Sequence, residues 1–214
     1  MNSPFTFPAD AGPFVWVLLA LAFIAVVFAV ERTMFLHRGL ILSSDFIEGV
    51  KNNLKAGRPI EALTACEESP GPIPRVVKAA LLRSNQSEAS MRAAAIEAAL
   101  LELPVLERRL GTIATIGKIA PLIGLAAALF SGFHLASALR DGSIYASAQN
   151  IFPDILSAFA NAGFSLVIAI GCSLSHHFLV GRVRSIVLEM EIAAHSLITF
   201  VHHELPAEKN SAKQ

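Results

Sequence analysis

The chain has 214 residues, 54% of them hydrophobic and 16% charged, where an ordinary soluble domain is nearer a quarter charged. Lys and Arg balance Asp and Glu at 17 each, and no basic patch stands out, so nucleic acid is not an expected partner. Charged residues avoid three long stretches, which points to an all-α integral membrane protein.

Residues 1–13, MNSPFTFPADAGP, hold no Lys or Arg. They lack the positive n-region of a secretory signal, so the apolar run at 14–30 is expected to stay as a membrane helix. It is short for a span of about 20 residues, and Glu31 and Arg32 close it.

Residues 31–118 carry most of the charge and read as a helical cytoplasmic domain. The pattern predicts short helices over 42–56 and 60–68, broken by Gly57-Arg58-Pro59, and a turn at SPGPIP, 69–74. Ser87 to Leu110 is rich in Ala, Leu and Glu, all good helix formers. Pro104 is a kink candidate within it, and no glycine cluster separates it from the next apolar run, which predicts one long helix from cytosol into membrane.

The second span is 119–139, with Pro121 in its first turn as a kink. Ala120, Gly124, Ala128 and Ser131 fall on one narrow face, at steps of four, four and three. In lipid, small side chains let helices approach closely. Residues 140–154 form a short loop, and 155–180 the third span, ended by Arg182 and Arg184. There Ser157, Asn161 and Ser165 make a polar stripe, which must face protein or a water-filled cavity. The two faces either hold the helices of one subunit together or line an axis shared by several subunits. Three helices do not easily bury two narrow faces, so an oligomer with an occupied lumen is expected.

Residues 181–214 continue the third span. Val183, Val187, Met190, Ala194, Leu197 and Val201 make a heptad-like stripe whose natural partner is the 87–110 helix. Residues 204–214 read as a frayed tail. Basic residues flank the span ends at 32, 38, 108, 109, 118, 182 and 184, while 140–154 holds only Arg140. The positive-inside rule then puts the N-terminus and the 140–154 loop outside and the C-terminus in the cytosol.

Several segments together resemble the ExbB/TolQ branch of the MotA/TolQ/ExbB proton-channel family: ERTMFLHR (31–38), AGRPIEALTACEESPGP (56–72), LPVLERRLGTIATIGKIAPLIGL (103–125), ILSAFANAGFSLVIAI (155–170) and VLEMEIAAHSL (187–197). Their order and spacing over about 14–203 carry the likeness. It implies a pentamer of three-span subunits in a bacterial inner membrane, around a single-span ExbD/TolR-type partner with an aspartate in its membrane helix. Proton flow past that aspartate would power a TonB/TolA-type protein. The family's two span threonines are replaced here by Ala128 and Ala162, with Asn161 and Ser165 as nearby hydrogen-bonding groups. No Asp or Glu lies within 14–30, 119–139 or 155–180, so conduction needs a partner's carboxylate. The competing reading is a non-conducting scaffold for single-span proteins.

Lys118, at the cytosolic edge of span two, either snorkels toward lipid headgroups or gates ions. His134 either bonds another helix or takes part in proton movement. Adjacent histidines at 176–177 and 202–203 point to different sides of a helix and suit no metal. Cys66 and Cys172 show no disulfide or CxxC pattern. With no nucleophile–base pair or phosphate loop, neither enzyme activity nor a cofactor is expected.

Overall fold

The computed structural model describes residues 13–40, 43–140 and 144–205. Among them all regular structure is helical. In chain order the helices are α1 (Pro13–Leu40), α2 (Ser43–Lys55), α3 (Pro59–Glu68), α4 (Pro72–Leu81), α5 (Glu88–Glu107), α6 (Leu110–Arg140) and α7 (Ile144–Thr199), the last running into a π-helical turn at Phe200–Glu204. Stretches within Pro13–Leu36, Glu88–Ser137 and Ile155–Glu204 are long and apolar enough to cross a membrane. Residues 1–12 of the expected N-terminal segment and most of the expected tail lie outside the described residues. So do 141–143, while the rest of the expected 140–154 loop, from Ile144, is already the start of α7.

Local chemistry accounts for most boundaries. Asp45 in the first turn of α2 and Lys55 in its last suit the helix dipole. Gly57 follows at φ 73°, a left-handed ending that favours glycine. Pro59 opens α3, where its missing N–H costs nothing. The predicted turn at 69–74 is shorter than expected: α4 begins at Pro72, and Pro72 and Pro74 both fit its first turn for the same reason. Ile73, Val76, Val77, Ala80 and Leu81 then form a buried stripe at helical spacing. Ser87 caps α5 by accepting from the Ser90 N–H at 3.3 Å.

One predicted helix is two. The run from Ser87 into the second span stops at Glu107 and restarts at Leu110. Arg108 has an extended ψ of 135°, and Arg109 has φ 67°, the one positive φ outside glycine among the described residues.

The chain divides into two compact units. Unit 1 comprises Met1–Glu31 and Arg109–Leu179; unit 2 comprises Arg32–Arg108 and Val180–Gln214. Unit 2 has a core of large apolar side chains, among them Ile73, Met91, Ile186, Met190, Leu197 and Phe200. Within it α5 and α7 flank a groove of about 390 Å3 that Ala95, Ala99, Met190 and Ala194 help to line. Lys51 donates to Ser196 Oγ at 2.7 Å, and its ammonium stands 5.6 Å from the Phe200 ring.

Candidate functional site

In unit 1 the narrow face of α6 and the polar stripe of α7 pack on each other. The closest approach is at Gly124. A Cβ there would lie 2.5 Å from Ser165 Cβ, 2.0 Å from Ser165 Oγ and 3.1 Å from the Asn161 backbone oxygen. Only glycine fits. One heptad further along α6, Ser131 and Ser157 share a hydrogen bond at 3.2 Å between their hydroxyls. One step the other way, a Cβ on Gly117 would be 3.0 Å from Cys172 Cβ. The α6 positions 117, 124 and 131 recur every seven residues, and their partners run backwards through 172, 165 and 157. This is an antiparallel heptad seam built from small residues, the packing that lipid favours because it offers no hydrophobic drive between helices.

Asn161 and Ser165 are each 1% exposed. The Ser165 hydroxyl donates to the Ala162 carbonyl at 2.8 Å, so it is satisfied without a water. Ala120 and Ala127 are also buried in the seam. Ala127, rather than Ala128, fills the packed face. Ala128, Ser131, Ser157 and Ala162 are half-buried at its edge, and the seam's register sets Ala128 level with Asn161. The stripe therefore has a part closed within the chain and a half-buried margin along its edge.

The remaining candidates sit apart from this margin. Pro121 is half-buried and α6 continues through it. Lys118 is exposed. His134 is exposed, edge-on to Phe130 at 4.8 Å, and Phe130 in turn meets Phe14 at 5.6 Å. His134 thus stands in an aromatic cluster linking α1 to α6. His176 and His177 stack edge-on at 5.9 Å, and no cluster of three metal-ligating side chains occurs among the described residues. The flanks of the seam are strongly apolar. Leu122, Leu125, Leu129 and Phe133 line the outer face of α6, and Phe159, Leu166, Val167 and Ile170 that of α7.

Two features escaped the sequence reading. Gly117 and Cys172 extend the seam by one heptad, and seven-residue spacing from Gly124 would have found Gly117. Toward the C-terminal end of α1, Glu31 pairs with Arg109, whose guanidinium also lies 5.0 Å from the Phe28 ring. The next residue, Arg32, is 5% exposed and donates to the Val105 carbonyl at 3.1 Å. Nothing in the local pattern signals either contact.

A family model described as the MotA/TolQ/ExbB proton channel family matches residues 68–192. That range takes in the 103–125 and 155–170 segments whole. The chain is also 20% identical over 185 residues to a protein of Methanothermobacter thermautotrophicus named as a homolog of the biopolymer transport protein ExbB. That alignment covers 86% of this chain, which spans 65% of the relative's length.

Proposed function

Because the chain belongs to the MotA/TolQ/ExbB proton channel family and has three membrane-length apolar helical stretches, we propose that it is an ExbB/TolQ-type subunit of an energy-transducing complex. In this reading several copies, five by family likeness, assemble in a bacterial inner membrane, N-terminus outward and C-terminus in the cytosol. They surround a single-span ExbD/TolR-type protein that carries the membrane carboxylate. Proton movement down the membrane potential releases about 2.3 kcal/mol per charge per 100 mV, and the complex passes that work to a TonB/TolA-type protein for outer-membrane import or envelope maintenance. The chain is not an enzyme in this proposal and takes no cofactor.

The observation that carries the reading is the α6–α7 seam with its half-open polar margin. The seam fixes two helices rigidly, and Ser131, Ser157, Ala128 and Ala162 border the surface a neighbour or partner helix would meet. Asn161 and Ser165 lie one layer deeper and hold that margin in register. Lys118 at the cytosolic edge contacts lipid headgroups. The scaffold reading draws on the closure of Asn161 and Ser165 inside the subunit, which removes them from any lumen.

Proton uptake into vesicles holding the complex purified from its own membranes separates the two. Potential-driven uptake that falls at least about tenfold in Ser157→Val, with the complex intact, supports conduction along the margin. Uptake indistinguishable from empty vesicles overturns conduction and leaves the scaffold. Uptake unchanged in Ser157→Val overturns the margin as the path.

A further inference from the structure

Within unit 1, α7 meets α6 closely and α1 loosely. On the α6 side, a Cβ added at Gly117 or Gly124 would crowd α7. Gly171 of α7 is exposed, and a Cβ added there would meet nothing within 4 Å. Glycine weakens a helix interior and suits places where another molecule comes close to the backbone. Gly171 opens onto a groove of about 400 Å3. Ala22, Ala25 and Ala29 line it on α1, and Gly171 and Ser175 on α7. Val26, Val30 and Val167 also line it and are exposed. Both helices belong here to membrane-length apolar stretches, so the groove opens onto lipid.

Three occupants compete for that space: water, a helix and a hydrocarbon chain. Water is poorly served, because a trapped water needs about two to four polar partners. Among the described lining residues only Ser175 and Cys172 have polar side chains, and the Ser175 hydroxyl already donates to the Gly171 carbonyl at 2.8 Å. A helix is too wide. The α1 lining runs from Ala22 to Val30, about 12 Å at the helical rise per residue. The volume spread over that length gives a cross-section of about 33 Å2. A helix with its side chains is about 10 Å across and needs about 80 Å2. A single extended hydrocarbon chain, one methylene wide, fits. The mouth is marked as well. The lining ends on α1 at Val30, beside Glu31, which pairs with Arg109. Ile113 also lines the groove, and its N–H bonds the Arg109 carbonyl. Both charged side chains are partly exposed, so a polar headgroup can rest on them.

We propose that the groove between α1 and α7 holds one acyl chain of a bilayer phospholipid, its headgroup end at the Glu31–Arg109 pair. The bilayer supplies such chains in far greater number than free fatty acids. Lipid tails are as apolar as the groove's walls, so close packing rather than hydrophobic transfer retains the chain. The inference rests on the membrane placement of the two helices and not on energy transduction.

Photolabelling of the complex, purified from its own membranes and placed in nanodiscs, tests it. The probe is a phosphatidylcholine with a diazirine midway along one chain. Labelling of residues 22–30 and 167–175 should exceed that of Leu122, Leu125 and Leu129, exposed on α6, by at least about threefold, packing being the source of the preference. Gly171→Leu fills the groove and should remove that excess while α6 labelling stays the same. Gly171→Ala, whose methyl meets nothing, is the milder variant and should remove less of it. A small fraction of unlabelled fatty acid in the nanodisc should leave the excess intact. Equal labelling of all three stretches in the unaltered protein overturns the proposal, as does an excess that survives Gly171→Leu. Labelling of 22–30 and 167–175 below the α6 level would give the groove to a neighbouring helix and overturn it too. An excess abolished by the added fatty acid would replace phospholipid as the occupant.

Discussion

The single helix α7 packs by two different rules along its length. In unit 1 it buries Asn161, Ser165 and Cys172 against the glycines and small residues of α6. In unit 2 it buries Ile186, Met190, Leu197 and Ile198. The periodicity is the same, and the expected solvent differs. In water, burying a large aliphatic side chain contributes about 1.5–3 kcal/mol, so big residues hold helices together. In lipid that term vanishes, and close backbone approach with satisfied polar groups replaces it. Removing atoms should therefore hurt unit 2, and adding atoms should hurt unit 1.

The largest effect is expected at Met190, 1% exposed in unit 2. Met190→Ala should destabilise by about 2–5 kcal/mol, read as a shift in denaturant midpoint; a cost near zero would mean unit 2 collapses around the gap and the contrast fails. Next is Gly124→Ala, whose methyl would sit 2.5 Å from Ser165 Cβ. It should cost about 1–3 kcal/mol as overpacking, and adding Ser165→Gly should recover most of it. A double variant no better than the single would place the clash elsewhere. Removing atoms from the same seam should be mild: Ser131→Ala loses the bond to Ser157 and about 0.6 kcal/mol, the mean worth of such a bond in a membrane. A loss as large as that at Met190 would erase the distinction between the units.

At neutral pH the smallest effect is at Cys66, in unit 2. Burial pushes its thiol up to about 11 from 9.0, with Lys78 lowering it and Glu67 raising it. The fold keeps the proton that the unfolded chain gives up near 9.0, so this site favours unfolding only as pH rises from about 9 to 11. At pH 9 alkylation of folded Cys66 should be much slower than in denaturant, whereas Cys66→Ser should remove the steepening of pH dependence above 9. Equal alkylation rates would show the core around Cys66 to be open.

Spacing made the seam legible: Gly124 and Ser165 stand out as small and polar residues at helical intervals in apolar runs. What those faces pack against was not legible, because a small face looks the same whether its partner is in the same subunit or the next. Ala127 and Ala128 are chemically identical, so only the crossing geometry decides which is buried. Prolines at 70, 72 and 74 read as a turn because residue counting does not say which of them falls in a first helical turn. The break at Arg108–Arg109 was invisible for a different reason. Arg109 pairs there with Glu31, about 78 positions away in α1, and no window along the chain contains both.

Native mass spectrometry of the complex extracted from its own membranes tests the central claim most directly. Several copies of this chain, five by the family likeness, bound to a single-span protein with a carboxylate in its membrane helix is the predicted result. A lone copy with no single-span partner would contradict it.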